Sequence, residues 1–164
     1  MSHKNRLIDP TQLVLRVPVP WVFVMAYLVG VGCERLYTFN LLSSESLATI
    51  SVVVGIVLFA AGALFASWCL LIFHKVRTTT TPGETSRKLV TWGPYRLSRN
   101  PMYVSLTLAY VGEAGILKQM WPLFFLPLVL AYVQWTVIPL EETRLREALG
   151  QEYQQYAAHV RKWI

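Results

Sequence analysis

Four apolar stretches divide this chain, separated by polar and mostly basic segments. Residues 17–33 and 47–73 carry no charge, the second over 27 positions. Residues 102–117 are apolar apart from Glu113, and 121–140 are again uncharged. A helix of 27 residues rises roughly 40 Å, and a bilayer core needs about 20 apolar residues in a helix. The pattern therefore predicts four membrane helices, the first and third short and dependent on their flanks. Backbone groups in lipid must pair internally, which excludes an open sheet. The runs do not alternate, which excludes a barrel of short strands. The expected fold is all-α: an integral membrane bundle of about four transmembrane helices with an amphipathic C-terminal helix.

The segments between the runs fill in this outline. Residues 1–16 read as a basic N-terminal arm, and 34–45 as a short outer loop. Pro18 and Pro20 suit the start of the first helix, where a missing N–H costs least. Ser51, Gly55, Gly62 and Ala66 are small residues spaced to let helices approach. Residues 74–101 form the long cytoplasmic loop, with a turn-prone Thr78–Gly83 stretch. Asn100 is expected to cap the third helix, with Pro101 in its first turn. Residues 115–119 leave room only for a tight turn, so helices three and four should form an antiparallel hairpin. Pro127 lies inside the fourth and could kink it. The tail, 141–164, repeats Leu145, Leu149, Tyr153, Tyr156, Val160 and Trp163 every three or four residues, an interfacial helical stripe that Gly150 should bend or split.

Composition and charge agree. Of 164 residues 54% are hydrophobic, too many for an ordinary soluble domain, and the length suits one domain. Thirteen of the 15 lysines and arginines flank the ends that also carry the termini; only Arg35 and Lys118 lie in the other loops. The positive-inside rule then places both termini in the cytoplasm, in a bacterial inner (plasma) membrane by this reading. The net charge of +6 suits anionic headgroups and calls for no nucleic acid. No A-x-A cleavage site follows the first apolar run, so a retained helix is expected rather than a signal peptide. Cys33 and Cys69 should sit near opposite ends of their helices, too far apart for a disulfide.

The candidate chemistry gathers at one edge. Glu141 and Glu142 stand where the fourth apolar run ends. Adjacent helical residues point about 100° apart, so one is expected to face the bundle and the other water. A carboxylate there could hold an ammonium or lie near a sulfonium, or simply pair with Arg144 or Arg146. Arg99 and Asn100 could grip a carboxylate or a ribose hydroxyl beside the start of helix three, or contact lipid headgroups. Tyr95, Tyr103, Tyr153 and Tyr156 could wall a pocket for a flat base or form part of an aromatic belt. Glu113 lies about 18 Å along its helix from Pro101, away from these groups and towards the outer interface. His3, His74 and His159 are scattered, with no metal-ligand spacing. No P-loop or dinucleotide fingerprint is present.

Taken together, these segments resemble the small integral-membrane methyltransferases, which include the isoprenylcysteine carboxyl methyltransferases and the phospholipid N-methyltransferases. The resemblance rests on Gly93 and Tyr95, then Arg99-Asn100-Pro101 and Tyr103, a hydrophobic hairpin, and the pair Glu141-Glu142. Leu149-Gly150-Gln151-Glu152-Tyr153 with Tyr156 follows, and Val160-Arg161-Lys162-Trp163 closes it. It covers about residues 89 to 164. It implies S-adenosyl-L-methionine as methyl donor, bound on the cytoplasmic side by Tyr95, Leu97, Arg99, Asn100, Pro101, Tyr103, Glu141, Glu142, Tyr153 and Tyr156. Glu141, Glu142 and Arg99 would be the catalytic set, no metal is implied, and a lipid-like or small hydrophobic acceptor would enter from the bilayer. Two departures stand out. Asn100 occupies a place where many members have His, and an amide cannot titrate. The stretch 135–140 lacks the cation that precedes the acidic pair in the eukaryotic carboxyl methyltransferases, which disfavours a prenylcysteine carboxylate as acceptor. A phospholipid amine N-methyltransferase, an NADPH-dependent reductase with similar C-terminal motifs, and a non-catalytic membrane partner protein are the alternatives. The oligomeric state is not readable from the sequence.

Overall fold

A computed structural model describes residues 18–38, 44–76 and 89–164. The basic arm 1–16, His3, the Thr78–Gly83 stretch, Arg77, Arg87 and Lys88 lie outside the described residues. Among those described, every regular element is helical. Helix α1 is Val19–Leu36, α2 is Glu45–Val76 and α3 is Pro101–Leu117. Helix α4, Trp121–Tyr132, passes through a π-helical turn, Val133–Val137, into α5, Ile138–Leu149; α6 is Gln151–His159. A short 3-10 turn, Gly93–Arg96, leads into α3.

Three helices are long and apolar enough to cross a membrane: α1, α2 and the continuous run Trp121–Leu149. Helix α3 has 17 residues, rises about 25 Å, and is buried on most sides. It is the centre of the bundle, with α2 on one side and α1 and α4 on the other. The outward faces of the others carry large apolar side chains such as Trp21, Leu28, Val57, Leu64 and Leu128, which suit lipid contact.

The α2–α3 interface is built from absent side chains. A Cβ on Gly55 would lie 2.6 Å from the Ile116 nitrogen, and one on Gly62 would lie 2.7 Å from the Ser105 carbonyl oxygen. A Cβ on Gly112 would run into the backbone of Phe59. Ser51 adds a hydrogen bond from its hydroxyl to the Gly115 carbonyl, 3.0 Å. The small-residue spacing thus serves packing, where lipid offers no hydrophobic force to bring helices together.

Helices α3 and α4 are joined by the expected tight turn, with Lys118 left-handed at φ 56° as the cap of α3. They do not form a closely packed hairpin, however. Helix α3 lies mainly along α2, and α4 mainly along α1, where a Cβ on Gly30 would meet Pro122. Phe23, Tyr27 and Tyr110 fill the space between, Tyr110 with its ring centroid 5.0 Å from that of Tyr27 and its hydroxyl bonded to the Pro122 carbonyl at 2.8 Å. Glu34 is the last-turn anchor of α1 rather than part of a loop. Its Oε2 accepts from the Met120 and Trp121 N–H groups at 3.0 and 3.1 Å, capping α4 with a negative charge at its N-terminus.

Two further expectations change. The fourth helix does not end near Leu140. The π turn lets the Ile138 N–H reach back to Val133, and Pro139 then falls in the first turn of α5, where its missing N–H is harmless. The helix runs through Pro127 and on to Leu149, ending at Gly150 with φ 54°. The tail stripe is helical only as far as Tyr156. Val160 is extended, so Val160 and Trp163 leave the helix axis.

Replacing Gly112 with Leu should therefore destabilise the detergent-solubilised protein by at least about 1–3 kcal/mol, the usual cost of overpacking. Gly32, whose Cβ would meet nothing within 4 Å, should accept Ala without loss. Thermal unfolding of the two variants checks the contrast.

Candidate functional site

The site lies where the apolar part of the α4–α5 run stops. Glu142 is only 5% exposed, although it is charged and near the membrane boundary. Burying a lone carboxylate costs several kcal/mol, so partners are required. Three cations supply them. Arg99 Nη2 lies 3.1 Å from Oε1, while Arg146 Nη2 and Lys162 Nζ lie 3.3 and 3.6 Å from Oε2. Arg99 is itself buried, whereas Arg146 and Lys162 reach in from the surface. The Arg99 contact is ionic without hydrogen-bond alignment, which leaves Oε1 of Glu142 with acceptor capacity.

Glu141 faces another way but does not face water. Its Oε1 accepts a 2.8 Å bond from the Tyr103 hydroxyl on α3, and the Arg144 charge acts on it. The expected division between bundle and water fails because α5 is flanked on two sides: α3 meets one carboxylate and the 98–100 loop meets the other. Both acids are therefore engaged, each with a different partner.

The tyrosines line this region unequally. Tyr153 is 2% exposed and sits beside Arg99 and Glu142; burial, then the Glu142 charge, holds its phenol above the usual range. Tyr156 donates to the Tyr95 carbonyl at 2.7 Å. Burial also raises the Tyr95 and Tyr156 phenols, which keeps them protonated. The Tyr95 ring packs edge-on against Phe73 of α2, with centroids 5.4 Å apart. Pro101 is fully buried as the first residue of α3, while Leu97 is exposed. Glu113 is exposed and belongs to the other end of α3, apart from this cluster.

Asn100 holds the cap position of α3, but its side chain makes no capping bond. Its Nδ2 donates to the Lys162 carbonyl at 3.0 Å, and the buried Ser98 hydroxyl donates to the same oxygen at 3.0 Å. The Arg99 N–H donates to the Arg161 carbonyl at 2.9 Å. Trp163 in turn donates its indole N–H to Gln134 Oε1 in the π turn, 2.7 Å. Ser98, Gln134, Arg144, Arg146, Lys162 and Trp163 thus join the site although they are absent from the set read from the sequence. The prior signals were the reading that Arg144 or Arg146 could pair with the acids, and the basic tail end with its aromatic residue.

Two N–H groups here are buried without a hydrogen-bond partner, Nε of Arg99 and Nη1 of Arg144. Buried donors are normally satisfied. Glu142 Oε1 is likewise buried without a hydrogen-bond partner, so unused donors and an unused acceptor remain beside the acidic pair.

The ion-pair arrangement sets a stability test. Glu142→Ala would leave Arg99 buried without its counter-charge, an expected loss of about 3–5 kcal/mol. Arg146→Ala removes a mostly exposed partner and should cost no more than about 1 kcal/mol. Thermal or chemical unfolding in one detergent distinguishes the two.

Comparison with known proteins supplies an independent reading. Residues 50–152, well over half the chain, match the phospholipid methyltransferase family. Two curated rice proteins, from Oryza sativa subsp. indica and subsp. japonica, are each named probable protein-S-isoprenylcysteine O-methyltransferase. Each is 38% identical to this chain over 77 residues, covering 47% of this chain and 40% of the relative. The chain thus spans less than half the length of these curated relatives. No solved structure matches. The matched region contains the α2–α3 interface, the loop before α3, the acidic pair and the start of α6, while Tyr153, Tyr156, Lys162 and Trp163 lie beyond it, and the chain belongs to the phospholipid methyltransferase family.

Proposed function

We propose that this chain transfers a methyl group from S-adenosyl-L-methionine to a lipophilic acceptor that arrives from the bilayer. The observation that carries the reading is the pair of unpartnered buried donors, Arg99 Nε and Arg144 Nη1, beside two carboxylates. The amino-acid end of the cofactor is zwitterionic, and this donor set fits it. Arg99 and Arg144 would hold its carboxylate, and Glu141 or Glu142 its ammonium. When bound, the cofactor supplies an electrophilic methyl on a positive sulfur. Tyr95, Tyr103, Tyr153 and Tyr156 would bound the flat base, and the burial of Tyr153 would help exclude water. Holding both reactants in line can contribute about 7–11 kcal/mol in the best cases.

The acceptor follows from two considerations. The relatives' name favours a carboxylate, as in isoprenylcysteine O-methylation, and a carboxylate needs no base. However, residues 135–140 carry no cation, and Arg99, Arg146 and Lys162 already meet Glu142. That favours the second reading, a phospholipid amine, which must lose a proton. Glu141, whose Oε1 accepts from the Tyr103 hydroxyl, would take it. The reading also places both termini in the cytoplasm, because the cations of the site lie at the end expected to face inward.

Calorimetry of S-adenosylhomocysteine with the purified chain in nanodiscs, run beside NADPH, tests the class. Saturable binding of the first alone is the expected result. Binding of NADPH alone would transfer the chain to reductase chemistry, and binding of neither by folded protein would favour a partner protein. Glu141→Gln then separates the acceptors. With an amine acceptor, methyl transfer should fall by about 100-fold or more, the scale of general-base catalysis. With a prenylcysteine carboxylate it should change far less. Labelled methyl transfer to phosphatidylethanolamine and to a farnesylcysteine analogue reads out both.

A further inference from the structure

We infer that residues Arg161–Trp163 form a positioning strap for the cofactor loop, and that Asn100 acts through this strap rather than as a ligand. The inference rests on the reading above that Arg99 contacts the cofactor. The strap lies beyond the last helix, since α6 ends at His159 and Val160 is already in the β region. Its backbone carbonyls therefore have no place in a helical ladder and need other partners. Arg161 receives the Arg99 N–H, and Lys162 receives both the Ser98 hydroxyl and the Asn100 amide. The Ser98 oxygen also accepts from the Asn100 N–H at 3.0 Å, which closes a small ring of bonds around residue 99.

The far end of the strap is anchored independently. Trp163 bonds Gln134 and packs on the main apolar cluster. Gln134 lies in the π turn, and a polar residue in an otherwise apolar run needs a partner there. The contacts form a closed circuit. They run from Gln134 to Trp163, along the strap to Ser98 and Asn100, through Arg99 to Glu142, and back down α5 to the π turn. Lys162 ties the circuit once more through its own ion pair with Glu142. Arg99 is thus fixed from both sides: its backbone by the strap, its guanidinium by Glu142.

What position 100 requires is a side-chain N–H that can reach the Lys162 carbonyl. Its capping role is not at stake, because the side chain caps nothing. Leu has similar size and no donor, whereas the imidazole of His can donate. The experiment uses the full chain in detergent and compares Asn100→Leu, Asn100→His, Trp163→Phe and Ser98→Ala. Hydrogen–deuterium exchange over residues 97–100 is measured without ligand, and S-adenosylhomocysteine affinity by calorimetry. Asn100→Leu and Trp163→Phe should speed exchange in that segment and weaken binding roughly tenfold, about the net worth of one hydrogen bond that holds the segment. Asn100→His should restore both. Should either variant fail to fold, Ser98→Ala tests the same carbonyl. Unchanged exchange in the folded variants overturns the strap. Faster exchange with unchanged affinity overturns its positioning role. Failure of the unsubstituted chain to bind the homocysteine compound overturns the methyltransferase reading instead, and leaves the exchange result to judge the strap alone.

Discussion

Glu142 is a carboxylate that cannot be buried alone, and the polar end of the molecule is arranged around that constraint. In a medium of low dielectric an uncompensated charge is costly, and its partners must come from elements that can reach it. They come from three places: Arg99 from the loop before α3, Arg146 from one turn further along α5, and Lys162 from the segment beyond α6. The loop, the end of the fourth membrane helix and the tail therefore all meet at one side chain. Its neighbour Glu141, one residue earlier, is left to the Tyr103 hydroxyl. Two adjacent acids acquire different surroundings, and that difference makes distinct roles possible.

The other end of the bundle provides the frame. Helix α3 is short and buried, and it is gripped by α2 through an interface where backbone meets backbone. Such contact has little freedom to slide, because any shift brings a carbonyl against a neighbouring chain. On the opposite side, Phe23, Tyr27 and Tyr110 fill the gap to α1 and α4, and Glu34 caps the start of α4. Tyr103 rides on this rigid helix, so its hydroxyl reaches Glu141 from a fixed point. The small-residue packing runs along α3 from Gly115 to Ser105, two residues from Tyr103, so it and the polar site are parts of one construction.

Membership of the phospholipid methyltransferase family fits this division of labour. A methyl transfer needs little acid–base machinery when the acceptor is already an anion, and more when it is an amine. The cluster has one carboxylate bonded to Tyr103 and cations committed largely to its neighbour. Two donors of this cluster, Arg99 Nε and Arg144 Nη1, are buried without a partner, which native interiors rarely leave so.

Most of the membrane architecture was legible in the amino-acid sequence. Apolar runs of bilayer length must become helices because the backbone has nothing else to bond to in lipid. Local chemistry also announced the start of α3 at Pro101, the break at Gly150 and the cluster of Arg99, Tyr103, Glu141 and Glu142. Which helices pair was not legible. Hydrophobic surface is equal on all sides in lipid, and only the assembled bundle shows that α3 rests on α2 while α4 rests on α1. The length of the fourth helix was hidden too, since the uncharged run stops at Leu140 while the backbone stays helical to Leu149, with a π turn ahead of Pro139. The strap was the least visible element. It binds through the carbonyls of Arg161 and Lys162, groups that every residue carries, so no side-chain pattern marks it. The sequence determined which residues could do chemistry at this membrane edge; the tertiary structure decided which of them meet, because burying one charge required partners from three separate segments.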